Sequence, residues 1–147
     1  MKRLTIDEIF RKDGLLSEGN SNYKERPQQI EAAKLISERI DKEGHVILEG
    51  PCGFGKSLTY LVPALKKVYE NKESTTKDKD KDKDKVIVVT SNISLQQQLI
   101  KKDIPFVVEK LGKAYGKRIT YTALKGINNF ICQTKLEMLT SDTTLLD

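Results

Sequence analysis

Apolar residues recur at helical spacing in several segments of the chain. In residues 56–70, for example, Leu58, Leu61, Val62 and Leu65 are separated by steps of three and four, which places them on one face of a helix. Similar patterns, with capping residues at their ends, predict further helices. We expect these over residues 27–42, from Ser94 to a break at Asp103-Ile104-Pro105, over 106–111 and over 128–139.

Short runs of β-branched and other apolar residues lie between these helices. Residues 45–49 and 86–90 are nearly continuous apolar runs, typical of strands buried on both faces, and residues 119–124 alternate in the manner of a strand. The resulting alternation of strands and helices predicts an α/β fold, with a parallel sheet flanked by helices.

The remaining segments lack such periodicity. Residues 1–22 contain one short helical start, with Thr5 and Glu8 as a capping box, and are otherwise expected to be loosely ordered. Residues 71–85 contain no apolar side chain and alternate Lys and Asp, which predicts a disordered insertion. The domain is expected to span residues 23–139, followed by a tail over 140–147.

The strongest chemical signal lies between the predicted strand at 45–49 and the helix at 56–70. It reads G-x-x-x-x-G-K-S, the phosphate-binding P-loop pattern, in the required order of strand, loop and helix. Its backbone amides and Lys56 are suited to the phosphates of ATP, and the Ser57 hydroxyl to Mg²⁺. The predicted nucleotide-binding residues are Gly50, Pro51, Cys52, Gly53, Phe54, Gly55, Lys56 and Ser57, with Lys56 the candidate catalytic residue.

The composition limits the number of domains, the cellular location and the kinds of partner that we expect for this chain. The 147 residues are 32% charged and 37% hydrophobic, enough for one domain, and no apolar run is long enough to cross a bilayer. Two distant cysteines and the absence of a signal-peptide pattern suggest a cytoplasmic protein without membrane contact. Residues 101–125 carry the whole net charge of +5. This basic segment suits a nucleic acid, although a solvated helix face remains an alternative.

Several segments resemble, in order and spacing, the N-terminal part of DinG-type DNA helicases, superfamily 2 enzymes related to XPD. The resemblance covers residues 23–139 and implies part of the first motor domain only: an incomplete P-loop NTPase domain of the RecA-like kind that uses ATP and Mg²⁺ and contacts single-stranded DNA. The segments that carry it are Arg26-Pro27-Gln28-Gln29, residues 49–65, 90–99, Lys102-Asp103-Ile104-Pro105 and 124–132.

The resemblance also implies individual roles around the nucleotide. Gln29 corresponds to the glutamine that reads adenine, a task suited to an amide because it offers both a donor and an acceptor. Arg26 and Tyr23 are then expected near the base, with Tyr23 stacking on it. Gln28 is the neighbouring candidate for the same role, and a plain surface position for Gln29 is the alternative.

A second group of residues is implied to bind DNA. Thr90, Ser91 and Asn92 follow a predicted strand and precede a capped helix, where hydroxyls and free amides suit phosphate. Lys125 is the further candidate. Three positions depart from the family pattern: Ser91 and Ile93 stand where threonine is common, with only Ser91 keeping a hydroxyl, and Ile127 follows Gly126 where arginine is common.

Cys132 resembles the first of four cysteines that ligate a [4Fe–4S] cluster in these helicases. No cysteine follows it in this sequence. One thiolate does not hold a cluster, so we expect a cluster only if further cysteines lie outside this chain.

Two features of such a motor are not recognisable in the sequence. These are an acidic Walker B pair and a second RecA-like domain. The first hypothesis is therefore the ATP-binding portion of a DNA helicase, present here as a partial chain. The alternative is a stand-alone nucleotide- or nucleic-acid-binding module, or a truncated remnant, without catalytic activity. The oligomeric state is left open.

Overall fold

The computed structural model describes residues 3–71 and 85–141. The predicted insertion, apart from its end residues 71 and 85, and positions 142–147 of the predicted tail lie outside this part of the chain. The elements in chain order are α1 (Ile6–Phe10), α2 (Pro27–Asp41), α3 (Lys56–Asn71), α4 (Ile93–Gln98), a π-helical turn (Leu99–Asp103), α5 (Ile104–Tyr115), a 3₁₀ turn (Ile127–Asn129) and α6 (Gln133–Ser141).

The two long helices predicted in the first half of the chain are confirmed. α2 begins at Pro27, where a missing N–H costs nothing, and α3 runs without interruption through the buried Pro63. The capping box at α1 is also present. Thr5 Oγ1 accepts from the Glu8 amide at 3.1 Å, and Glu8 Oε2 accepts from the Thr5 amide at 2.8 Å.

Several predicted helix boundaries in the second half are wrong; α5 continues to Tyr115 instead of ending at 111, and α6 begins at Gln133 instead of at 128. α4 is capped by Asn92 and not by Ser94, since Asn92 Oδ1 accepts from the Leu95 amide at 3.0 Å. The helix also does not break at Asp103. It passes through the π-helical turn directly into α5, and Pro105 lies in the first turn of α5.

The three predicted strands are not formed anywhere in residues 3–71 and 85–141. Their side chains nevertheless alternate in exposure. Val46 and Leu48 are each 37% exposed whereas Ile47 is 99% exposed, and Val88 is 37% exposed beside Val89 at 87%. A period of two is typical of extended backbone with one covered side. A strand is defined by hydrogen bonds to a neighbouring strand, and the described part of these segments has none.

The core lies where α2 and α5 each pack against α3, with α1 against α2. Four apolar side chains of the N-terminal segment are buried in it, although sequence reasoning expected residues 1–22 to be loosely ordered: Ile6, Ile9, Phe10 and Leu16. At the other end, residues 120–127 and 129–140 are all exposed. Among the described helices, none has both the length and the apolar character needed to cross a bilayer.

Candidate functional site

The predicted phosphate loop occupies residues 50–55 and leads directly into α3. Gly53 and Gly55 adopt φ values of 78° and 87°, in the left-handed region that residues with a Cβ rarely enter. The Phe54 amide donates to the Pro51 carbonyl at 3.3 Å and closes a turn between them. The backbone path of the loop therefore requires glycine at Gly55, a fixed position of the motif, and also at the variable position Gly53.

The carbonyl oxygen of Gly55 is held by two side chains from different helices. Gln29 Nε2 of α2 donates to it at 2.9 Å, and Thr59 Oγ1 of α3 donates to it at 3.0 Å. Both side chains are withdrawn from solvent, with Gln29 3% exposed and Thr59 0% exposed. A Cβ on Gly55 would lie 2.3 Å from Gln29 Nε2, so the contact depends on glycine. The alternative that Gln29 is a plain surface residue is wrong.

Lys56 lies at the first position of α3, and its side chain turns back over the loop. Its ammonium donates to the carbonyl of Gly50 at 2.7 Å and to that of Pro51 at 2.9 Å. Lys56 is exposed. The loop thus carries a solvent-accessible cation between its two ends, at the position from which a lysine reaches a bound phosphate.

Ser57 and Tyr60 lie one turn apart on α3. Burial raises the pKa of Tyr60; the nearby Ser57 hydroxyl opposes that rise, and the Asp103 carboxylate adds to it. Asp103 is itself buried and accepts from Gln98 Nε2 at 2.8 Å. The phenol of Tyr60 thus lies among polar groups of both α3 and the π-helical turn.

Ser57 fits the modest demands of a Mg²⁺ ion bound together with a nucleotide. Such an ion takes few protein ligands and completes its shell with phosphate oxygens and water. A single hydroxyl at the start of α3, next to the phosphate loop, is a suitable ligand. Within residues 3–71 and 85–141 no group of three or more His, Cys, Asp or Glu side chains is arranged to hold a metal.

Arg26 and Tyr23, the other two residues predicted to lie near the base, are found in different environments. Arg26 is exposed at the start of α2, and its guanidinium approaches Gly55 beside Gln29. Tyr23 instead packs against the core, and its hydroxyl donates to the carbonyl of Phe10 at 2.5 Å. Burial raises the pKa of Tyr23. The phenol of Tyr23 thus anchors α1.

The predicted DNA-binding residues lie around the start of α4. Thr90 Oγ1 accepts from the Asn92 amide at 3.1 Å, and Asn92 Oδ1 caps the helix. Gln96 Nε2 donates to the carbonyl of Leu124 at 2.9 Å, which ties the segment preceding Lys125 to α4. Thr90 is half-buried, whereas the other three candidates, Ser91, Asn92 and Lys125, are exposed.

Both cysteines are free and exposed. Cys52 lies in the phosphate loop and Cys132 immediately precedes α6. The two are not joined, and neither belongs to a cluster of metal-ligating side chains in the described part of the chain.

Sequence reasoning missed one residue of this site. Thr59 occupies an ordinary position of an amphipathic helix, yet its hydroxyl holds the loop carbonyl. Its spacing could have indicated this role, because Thr59 lies within one turn of Lys56-Ser57 and so shares the end of α3 with the loop.

Comparison with known proteins gives consistent matches over most of the chain. Residues 26–140 match the family model of DEAD/DEAH box helicases. The chain is 33% identical over 111 residues to the ATP-dependent helicase DinG of Mycobacterium tuberculosis, covering 76% of this chain and 15% of that protein. No solved structure matches the chain.

Two further relatives carry related names. The chain is 29% identical over 142 residues to the ATP-dependent DNA helicase YoaA of Haemophilus influenzae, covering 97% of this chain and 19% of that protein. It is 29% identical over 124 residues to the 3′-5′ exonuclease DinG of Bacillus subtilis, covering 84% and 12% respectively. The chain thus spans less than a fifth of the length of these relatives.

Proposed function

Because the chain belongs to the DEAD/DEAH box helicase family, and so to the P-loop proteins of RecA-like fold, we propose that it is the ATP-binding portion of a DinG-type DNA helicase. The observation that carries this proposal is the Gly55 carbonyl clamp. Gln29 and Thr59 fix the loop from two helices, so that Lys56 and Ser57 follow it in a defined position. A loop prepared in this way suits a triphosphate, because its donors need little reorganisation on binding.

Each residue of the loop has a separate task in this proposal. The loop amides hold the phosphates, and the Lys56 ammonium exchanges the carbonyls of Gly50 and Pro51 for phosphate oxygens. Ser57 supplies one ligand to Mg²⁺, which when bound neutralises charge on the phosphates. Gln29 uses one N–H on Gly55 and retains a second N–H and its carbonyl oxygen for the adenine edge. Arg26 lies beside the base.

The proposed DNA contact is the exposed start of α4. Thr90 and Asn92 already shape this turn through their mutual hydrogen bond, and the amide group of Asn92 keeps its N–H donors while Oδ1 caps the helix. Single-stranded DNA is the proposed ligand, with Ser91 and Lys125 as further phosphate contacts.

The proposed fold includes the parallel sheet that the sequence predicts. The support is the alternating exposure of Val46, Ile47 and Leu48 and of Val86 to Val89. Hydrogen exchange of these amides tests it. Slow exchange at Val46–Leu48 and Val86–Val89 is expected if they pair, and exchange as fast as in the exposed residues 131–132, which belong to no predicted strand, contradicts the sheet in this chain.

Binding of a fluorescent ATP analogue with Mg²⁺ is the experiment that tests the function. We expect saturable binding that Lys56→Ala reduces at least tenfold, because it removes the one cation on the loop. Lys42→Ala removes an exposed lysine remote from the loop and is the matched control. Equal binding by Lys56→Ala and the parent chain contradicts the proposal.

Turnover separates the proposal from the alternative of a non-catalytic module. ATP hydrolysis is measured with and without single-stranded DNA in this chain and in a chain extended to the length of its relatives. DNA-stimulated hydrolysis in the extended chain, lost in Lys56→Ala, supports a helicase motor. Binding without hydrolysis in both chains supports the module.

A further inference from the structure

Gln96 joins the two segments that carry the proposed DNA-binding residues. It lies in α4 one turn after the cap residue Asn92, and its backbone amide donates to the Asn92 carbonyl at 3.0 Å. Its side-chain nitrogen Nε2 donates to the carbonyl of Leu124 at 2.9 Å, 28 residues further along the chain. The residue that precedes Lys125 is therefore attached to the same turn that Asn92 caps.

A second set of hydrogen bonds holds the backbone on the other side of Lys125. The carbonyl of Gly126 accepts from the Asn129 amide at 2.9 Å and from Asn129 Nδ2 at 3.3 Å. These bonds accompany the 3₁₀ turn Ile127–Asn129. The carbonyls of the residues directly before and directly after Lys125 are thus both bonded to side chains.

The hydrogen bond from Gln96 matters because the segment around Lys125 has little else to fix it. Residues 120–127 are all exposed and contribute no side chain to the core. α4 is itself anchored, since Leu95 packs against the core and Leu99, in the π-helical turn that continues the helix, is 3% exposed. Gln96 therefore connects an exposed segment to an anchored helix.

Binding of a single strand of DNA is favoured when its phosphate contacts are in place beforehand. Lysine is a point charge on a flexible stem, so a lysine on a free segment loses conformational entropy when it binds a phosphate. A segment that is already bonded to α4 has lost part of this entropy before the DNA arrives. Its lysine and the start of α4 are then presented to the strand together.

We propose that Gln96 is a positioning residue that holds Lys125 beside residues 90–92, so that one single strand of DNA contacts both. This inference rests on the proposed DNA contact at the start of α4. It assigns to Gln96 no contact with the DNA itself.

Gln96→Met keeps the length of the side chain and its preference for helix but removes the N–H donor. Binding of a labelled oligothymidine is measured by fluorescence anisotropy over a series of salt concentrations. We expect about fivefold weaker binding, the effect of one ordinary hydrogen bond. The slope of log Kd against log salt concentration is expected to fall by about 0.7, the contribution of one phosphate contact on a single strand. Gln97→Met, at the exposed neighbouring position, is the control and is expected to change neither quantity.

A double-mutant cycle with Lys125→Ala completes the test. If Gln96 acts through Lys125, adding Gln96→Met to Lys125→Ala has no further effect on affinity or on the salt slope. Additive losses in the cycle, or weaker binding by Gln96→Met with an unchanged salt slope, overturn the inference and assign Gln96 a structural role alone.

The same measurements separate this inference from the proposal on which it rests. If the parent chain binds no oligothymidine, or if Lys125→Ala binds it as the parent does, the proposed DNA contact fails at that point and the inference fails with it. If Lys125→Ala weakens binding and Gln96→Met does not, only this inference fails.

Discussion

The amide nitrogen of Gln29 lies 2.9 Å from the carbonyl oxygen of Gly55, although the two residues are on different elements. One belongs to α2 and the other to the loop that precedes α3. The contact is nearly dry, because Gln29 is only 3% exposed. A residue proposed to read a base is thus also a structural part of the phosphate loop, so changes at Gln29 are expected to affect the loop as well as the proposed contact with the base.

Replacing Gln29 by Glu is expected to weaken nucleotide binding more than tenfold and to lower stability by about 1–3 kcal/mol. The reason is that a carboxylate would face the Gly55 carbonyl without a donor between them. Gln28→Glu, at the exposed neighbouring position, is expected to change neither quantity appreciably. Fluorescence binding and thermal unfolding measure the two effects, and equal behaviour of the two variants contradicts the assigned role of Gln29.

Gly55→Ala is expected to abolish nucleotide binding, and Gly53→Ala only to reduce it. Both glycines have positive φ, so an added methyl costs about 1–2 kcal/mol at either position. Only at Gly55 would the methyl also meet Gln29 Nε2, at 2.3 Å, whereas no atom lies within 4 Å at Gly53. Titration of both variants with the ATP analogue checks the order, and a larger loss for Gly53→Ala disproves it.

Asn92→Asp is expected to reduce single-stranded DNA binding without lowering stability. Aspartate keeps the cap on the Leu95 amide but loses the N–H donors and adds a charge that repels phosphate. Asn92→Ala removes the cap as well and is expected to cost about 1 kcal/mol. Fluorescence anisotropy and thermal unfolding distinguish the two variants. Undiminished DNA binding by Asn92→Asp excludes this residue from the DNA contact.

Phe10→Ala is expected to destabilise the domain by about 3–5 kcal/mol, because it opens a cavity in the shared core. Phe10 is 1% exposed and its carbonyl accepts from Tyr23. Arg11→Ala, at the adjacent exposed position, is expected to stay within about 0.5 kcal/mol. Denaturant unfolding measures both, and similar small effects indicate that the N-terminal segment is not integral to the core.

The helices of the nucleotide site were predictable from sequence because their signals are local. The apolar period of α3 and Pro27 at the start of α2 each depend on residues within one element. The Gly55 carbonyl clamp was not predictable, since nothing in the local sequence indicates that Gln29 reaches a carbonyl 26 residues away.

The strands and the N-terminal segment also depend on contacts that the local sequence does not reveal. Strand formation depends on a partner strand, so the β-branched residues 86–90 predict a preference and not a pairing. In residues 1–22, Gly14 and the polar stretch 17–22 suggested loose order, but burial of Leu16 depends on the helices that surround it.

The π-helical turn has a consequence for how this sequence tolerates change in length. It joins α4 to α5 without a loop, so the two helices share one continuous backbone from Ile93 to Tyr115. An i→i+5 turn contains one residue more than an α-helical turn. Deleting one residue between Leu99 and Asp103 is therefore expected to convert it into an α-helical turn and to leave Val107 and Leu111, both fully buried, facing the core. Insertions and deletions are usually absorbed by loops, but here the π-helical turn is the place where the chain between the proposed DNA contact and the core tolerates the loss of one residue.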